Sequence, residues 1–385
     1  MLKRFVSLCL IGLLALTIAF SAVSADTVEG QEDEVLSLSL EQAQKLAIEN
    51  NPKVKLAELE LENAKLEEEQ VERQLDKLDA LEKAEKLGLL QEGMGKPSDF
   101  DTKIFEKVGE QQVEMGVKLA DIGLKLVKQQ IKMAVEAAYY AALQADVNLE
   151  IYKRSMETAE KQLEFAKLEK QVGTASDFEV LEVEVKKAQA EADYKNALRD
   201  RDIAYIKLKQ TIGIDLDQQI ELTTSFEYEP LKDMNLDDAI SQALDNRLEM
   251  VKAREELAVA EAELKVAESY YTPNVFKYRE KMYAVEEKRA ALKEQEDAVR
   301  LEVIEAYLNM QAAEDGYKVL VKAEKQAKEG LRLAELRREA GLIRPIDVVQ
   351  VETSLKQVQL SKAKALHGYN LAKAQFKNAI GEGLK

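Results

Sequence analysis

The sequence predicts an all-α protein, an elongated antiparallel bundle of long coiled-coil helices arranged as two structural repeats. Three observations predict it. The 385 residues are 33% charged and 46% hydrophobic with five prolines and no tryptophan, and they lean to Ala, Glu, Lys, Leu and Gln, the composition of long helices. Aromatic residues make up only 6%, which suits a narrow Ala/Leu/Val seam better than a single large globular core. The chain also repeats itself, and period-two alternation is absent outside a short stretch near Ile220–Leu222.

The elements follow in order. Lys3 and Arg4 precede an apolar run from Phe5 to Phe20, and Val23-Ser24-Ala25 completes the pattern of a secretory signal peptide over 1–25, so export is expected. The run is short for a span of ~20 residues, which argues against an anchor helix. Cys9 has no lipobox around it, which argues against a lipid anchor. Removal of this segment takes the single cysteine and two positive charges, leaving −17 − 2 = −19 and no thiol. Disulfides, thiolate catalysis and cysteine-held metals are then excluded. So acidic a chain also repels nucleic acid and anionic lipid.

A flexible segment is expected over 26–37, a first helical repeat over 38–213, a linker over 214–233 and a second repeat over 234–385. Ser39 with Gln42 forms a capping box that opens a helix over 40–50. Further helices are predicted over about 53–92, 102–172, 177–212, 236–272, 276–340 and 345–380. Pro52, Pro97, Pro230, Pro273 and Pro345 all fall at breaks in the periodicity, as the missing N–H and the ring clash require.

The duplication is read from two blocks. Leu40, Ala43, Ala47, Asn50, Ala57 and Ala64 recur as Leu236, Ala239, Ala243, Asn246, Ala253 and Ala260, an offset of 196. Gly173 returns as Gly341, Tyr139 as Tyr307 and Gly213 as Gly381, an offset of 168, so the first half holds 28 extra residues between Ala64 and Ala138. A helix of about 65 residues is ~95 Å long at 1.5 Å per residue, and two flanking helices laid end to end match it. Gly109, Gly116 and Gly123 form a heptad stripe, at which close approach of two helix axes is expected.

Enzyme chemistry lacks its parts. His367 is the only histidine, on a helix face without a triad around it. Carboxylate runs such as EEEQVE from Glu67 stand beside Lys and Arg at helical spacing and read as solvated faces with local ion pairs. No catalytic residue, cofactor site or metal site is predicted.

The order of the motifs carries a resemblance. A signal peptide, LSLEQAQKLAIENNP from Leu38, a helical duplication, and the turns Val172-Gly173-Thr174 and Ala340-Gly341-Leu342 with Asp347 beyond resemble the TolC-like outer-membrane efflux protein family, from about Leu38 to Gly381. No single motif is specific; their order, twice over, is. The resemblance implies a homotrimer whose repeats line a hollow helical duct. Such a duct is passive, takes substrates from an export pump through a periplasmic-adaptor-type protein, and selects none itself. The two turns match the family's tip, where the duct narrows and adaptors dock. Asp347 matches an acidic position at the pore mouth, and Gln350 stands where a second Asp can occur. The location implied is the cell envelope, on the periplasmic and outer-membrane side, or the cell surface where the source lacks an outer membrane. Asp347 also has a local reading as a helix-capping carboxylate, with Asp177 in the same part in the first half. The alternative function is a helical spacer or docking protein without a pore.

One departure from the family stands out. Its members interrupt each helical hairpin with two membrane-spanning strands. Each strand takes ~9–11 residues, whereas five residues separate Tyr271 from Lys277 and the stretch from Lys86 to Lys107 holds three glycines and eight charges. The duct is kept and the barrel is missing. The turn with Tyr270, Tyr271, Val275, Phe276 and Tyr278 then has two readings: a surface that rests on a membrane or partner, or a hairpin packing its own bend with aromatics.

Overall fold

The computed structural model describes residues 35–89, 99–224, 226–230 and 235–382. The predicted signal peptide and nearly all of the segment over 26–37 lie outside them. In chain order the elements are β1 (Leu36–Leu38), α1 (Leu40–Asn50), α2 (Pro52–Lys86), α3 (Phe100–Gln171), α4 (Asp177–Ile212), β2 (Ile220–Leu222), α5 (Leu236–Asn246), α6 (Leu248–Tyr270), α7 (Phe276–Glu339) and α8 (Pro345–Ala379). α3 has 72 residues and α7 has 64, lengths of about 108 and 96 Å.

Each long helix carries shorter helices along one side. α1, α2 and α4 pack on α3, and α5, α6 and α8 pack on α7. α3 also packs on α8 and on α6, and α4 touches α8; the main contacts link α4, α3, α8 and α7 in a row with α4 and α7 at its edges. One apolar core surrounds Val135, Tyr139, Leu208 and Ile212; a second surrounds Met250, Val299, Val303 and Phe376. Helix starts follow local chemistry. Ser39 accepts from the Gln42 N–H, whose side chain bonds back to the Ser39 N–H at 2.8 Å, and Asn51 and Pro52 start α2.

Four details differ from the sequence expectations. The segment expected to be flexible contributes β1, which pairs in parallel with β2 through Leu36–Ile220, Ser37–Glu221 and Leu38–Leu222. Three residues are too few to show alternation, and the pairing is supplied by the inter-repeat linker. The helix expected over 236–272 is two helices, broken at Arg247 with φ −68° and ψ 137°. That break matches the one at Asn51 in the first repeat, but no proline marks it; the Arg247 guanidinium is held by Glu249 and Glu302 at 3.1 and 2.5 Å. α2 ends at Lys86 rather than near 92, closed by Gly88 at φ +66° and the Leu89 N–H on the Ala84 carbonyl.

The glycine stripe does not seat a helix within the chain. Beside Gly109 the ring of Phe105 would lie 3.3 Å from an added Cβ, while nothing lies within 4 Å at Gly116 or Gly123. The faces that alanine-sized spacing seemed to bring together are open there.

Tyr139 ties the linker down. It is fully buried, its hydroxyl donates to the Leu38 carbonyl at 2.7 Å, and it accepts from the Thr224 N–H at 3.1 Å. Tyr139→Phe leaves both backbone groups without this partner and is expected to cost about 1–3 kcal/mol. The urea midpoint should fall at unchanged slope; an unmoved midpoint would show that the strand pair is not held this way.

Candidate functional site

The two predicted tip turns lie side by side at one end of the row. After α3, Gly173 takes φ +83° and the Thr174 N–H reaches back to the Glu169 carbonyl at 2.8 Å. After α7, Gly341 takes φ +71° and the Leu342 N–H reaches the Arg337 carbonyl at 2.8 Å. A left-handed residue ends each helix, and glycine adopts it without strain. Val172, Phe178 and Leu342 are 75%, 67% and 73% exposed, so the turns present apolar side chains to solvent.

Contacts that sequence reading missed join these turns. Ile346 of the second repeat packs against Leu163, Ala166, Val180 and Val183 of the first. The Arg338 guanidinium lies 3.7 Å from the centre of the Phe165 ring and 3.9 Å from Glu169. Arg338 and Phe165 each read as ordinary helix-surface residues, and only the approach of the C-terminal ends of α3 and α7, which run in the same direction to the tip, brings them together. Thr174 and Ala175 line one cleft with Arg344, Pro345 and Ile346.

Asp347 accepts from the Arg344 N–H at 3.0 Å and from its guanidinium at 3.3 Å, closing the first turn of α8. Its counterpart at offset 168 is Glu179, which accepts from the Ser176 N–H at 2.8 Å and hydroxyl at 2.9 Å. Those bonds hold the Glu179 carboxyl below the usual carboxylate range. Asp177 does not share this part: it is the first residue of α4 and pairs with Lys170. The alignment by residue type put Asp beside Asp, whereas the hydrogen bonds select the third position of the helix. Gln350 is exposed one turn into α8. Asp347→Asn is expected to lower stability by about 0.3–1 kcal/mol, read in the unfolding midpoint. An unmoved midpoint with altered ion conductance of the assembled protein would assign the carboxylate to a duct mouth instead.

At the opposite end the aromatic turn divides. Tyr270 and Tyr271 pack on buried Phe100 of α3, with ring centres 5.8 and 4.9 Å away, Tyr270 remaining 40% exposed. Lys277 lies 5.6 Å over the same ring and 3.7 Å from Asp101. Phe276 points outward and is 86% exposed, while Val275 and Tyr278 are half-buried. Phe100 itself gave no sequence signal, because its partners lie 170 residues away in the other repeat. α6 and α7 are joined by residues 271–275, and α2 and α3 by residues 87–99. Five and thirteen residues are each fewer than two spanning strands of ~9–11 require. Among the described residues the strands are β1 and β2, and no helix is long and apolar enough to cross a membrane.

His367 sits where α8 meets α3. Burial pushes the imidazole below its ordinary value of 6.5, with the neighbouring Tyr140 backbone acting the other way. Between that lowered value and 6.5 the unfolded chain binds a proton that the folded chain refuses. This residue's contribution is therefore lost as pH falls through that window. Glu136 and Glu352 are pushed up by burial and act in the opposite sense, gaining stability as pH falls. The loss of stability on acidification from pH 7.5 to 5 should accordingly be smaller in His367→Gln than in the parent. An identical pH dependence in the two would show that the imidazole does not titrate differently on folding.

Residues 277–382 match the family model described as Outer membrane efflux protein. No curated protein sequence matches the chain. Among solved structures, the outer membrane protein VceC from Vibrio cholerae superposes with a TM-score of 0.65 at 14% identity, covering 90% of this chain and 97% of that one. The CmeC outer membrane channel of Campylobacter jejuni gives 0.63 at 14% identity, covering 89% and 86%. The open-state MtrE outer membrane channel of Neisseria gonorrhoeae gives 0.61 at 16% identity, covering 90% and 89%. The fold is thus that of the TolC-like helical ducts. Within that class, this chain resembles the outer membrane efflux proteins in its second repeat by sequence and over nine-tenths of its length by shape, with its helical hairpins closed by short links in place of strand pairs.

Proposed function

We propose that the chain is the passive duct of an envelope efflux or secretion system, closed as a homotrimer, with the tip turns docking an adaptor that connects it to an export pump. The observation that carries this reading is the character of the two edges of the helical row. α4 exposes Phe178, Leu181 and Val185, at 67%, 55% and 60%, and α7 exposes Leu301, Leu308, Val319 and Leu336, at 57%, 54%, 65% and 48%. Phe178, Leu181 and Val185 stand three and four positions apart, and Leu301, Leu308 and Val319 seven and eleven, spacings that keep each set on one face of its helix. An unpartnered stripe at each of two opposite edges fits a head-to-tail contact, and such contacts close into rings. The match to the efflux family and the likeness to solved outer membrane channels support the same reading.

Export to the cell envelope belongs to this proposal, as do the six turn residues Val172, Gly173, Thr174, Ala340, Gly341 and Leu342 as the adaptor-facing surface. The alternative, a helical spacer or docking protein, is favoured by one observation: the short α2–α3 and α6–α7 links leave the duct without a barrel of its own. Electron microscopy of the purified protein separates the two. Closed rings with a lumen are expected, and single rods would replace the duct with the spacer.

A further inference from the structure

Neither large apolar core crosses from one repeat to the other. The first draws only on residues up to Phe226, and the second only on residues from Tyr228 onward. At the ends the repeats touch through apolar side chains, where Ile346 enters the tip cluster and Tyr270 and Tyr271 meet Phe100. Between those ends the repeats meet as α3 against α8 and α6, with α4 touching α8, and the α3–α8 seam mixes small apolar residues such as Ala159 and Ala363 with polar side chains. Gln129 donates to Asn378 at 2.8 Å, Lys356 lies 5.4 Å over the Tyr152 ring, and Ser155 donates to Glu352 at 2.8 Å. The three pairs follow one antiparallel register.

Burial sharpens the contrast. The polar residues that are buried among the described residues are Ser155, Gln162, Glu352 and Asn370, at 3%, 5%, 6% and 8% exposure, and all four belong to α3 or α8. Three buried atoms, Asn148 Oδ1, Gln162 Oε1 and His367 Nδ1, have no protein partner. Asn148, Tyr152, Ser155 and Gln162 stand four, three and seven residues apart, on the face of α3 that the Tyr152 and Ser155 contacts turn toward α8. A buried polar atom left unbonded is costly, and water is the partner that removes the cost. A buried carboxylate–hydroxyl pair also holds two helices together less firmly than apolar side chains of the same volume.

We propose that the α3–α8 seam is a wet joint: water supplies the bonds that Asn148, Gln162 and His367 lack, and the two repeats part along it as separate cooperative units while each keeps its own core. This is sub-global opening in the sense of a unit that separates below the free energy of full unfolding. It differs from fraying at the ends, because apolar contacts between the repeats hold both ends.

Thiol labelling of the full chain tests it. With Cys9 replaced by Ser the chain has no other thiol. Ala159→Cys then places one in the seam, at a position 2% exposed, and Ala142→Cys or Ala243→Cys places one in a repeat core, at positions 0% exposed. With dithiobis-nitrobenzoate as probe, the seam thiol is expected to react at least ~100-fold faster than either core thiol. Below the unfolding transition its rate should also rise less steeply with urea than that of either core thiol, because parting the repeats exposes only the interface between them and leaves both cores covered. Drying the joint with Ser155→Ala and Glu352→Leu together, or with Gln162→Leu if that pair fails to fold, should slow the seam thiol at least ~10-fold. A seam thiol that reacts at the core rate with the core's urea dependence would overturn the proposal. So would indifference to drying in a variant that folds. Each rate is read within one chain, so the outcome is independent of whether the protein forms a ring.

Discussion

Leu181→Glu combined with Val185→Glu is expected to leave single, fully helical subunits where the proposed duct requires the parent to form rings. Both side chains lie on the outer face of α4, more than half exposed within the subunit, so the folded chain has nothing to lose by the change. In a closed ring the same face would be covered by α7 of the next copy. Each interface then gives up two apolar burials of about 1.5–3 kcal/mol each and must bury two carboxylates without partners. Three interfaces per ring multiply the effect. Sedimentation velocity with circular dichroism reads it: a fall to the monomer mass with helix content unchanged is the expected result. Rings that persist at the parent's concentration dependence would move the subunit contact off α4.

Phe376→Ala should produce the largest loss of stability, about 3–5 kcal/mol for a fully buried ring. Phe376 is 0% exposed, packs 5.5 Å from Tyr307 and sits among Met250, Val299 and Val303. Its cluster contains no residue of the first repeat. Urea unfolding followed by hydrogen exchange should therefore show helices α5 to α8 losing protection first, with α1 to α4 shifted less. An equal shift of both halves would mean that the two cores unfold as one.

Much of the architecture was legible in the chain, because helices of this kind are specified locally. Capping residues, proline placement and apolar spacing act within a few positions, so Ser39 with Gln42, Asn51 with Pro52, and the glycines at 173 and 341 mark real helix ends. The duplication was legible for the same reason, since equal local signals recur at fixed offsets. What was misread lay where the decisive partner is far away in sequence. β1 exists because Leu36–Leu38 finds Ile220–Leu222. The α5–α6 break is occupied by Arg247, whose partner Glu302 lies 55 residues away in sequence. The glycine stripe implied a close helix neighbour, and position in the bundle supplied none within the chain at Gly116 and Gly123.

The candidate site divides along the same line. The tip turns and the capping character of Asp347 could be read directly, but its true counterpart, Glu179, emerged only from which carboxylate reaches its N-cap. Phe165, Arg338 and Phe100 carried no signal, since an aromatic or arginine on a helix surface is ordinary until another helix arrives beside it.

By itself the sequence determined that this protein is a doubled set of long helices, where most of them begin and end, and that the links at one end are too short to hold spanning strands. Those are properties of neighbours along the chain and of simple length. Only the tertiary structure decided which faces stay bare at the edges of the row, and that the two repeats keep separate apolar cores with a polar seam between them. Burial and pairing belong to surfaces built from residues a hundred or more positions apart, and no local pattern encodes which of those surfaces will meet.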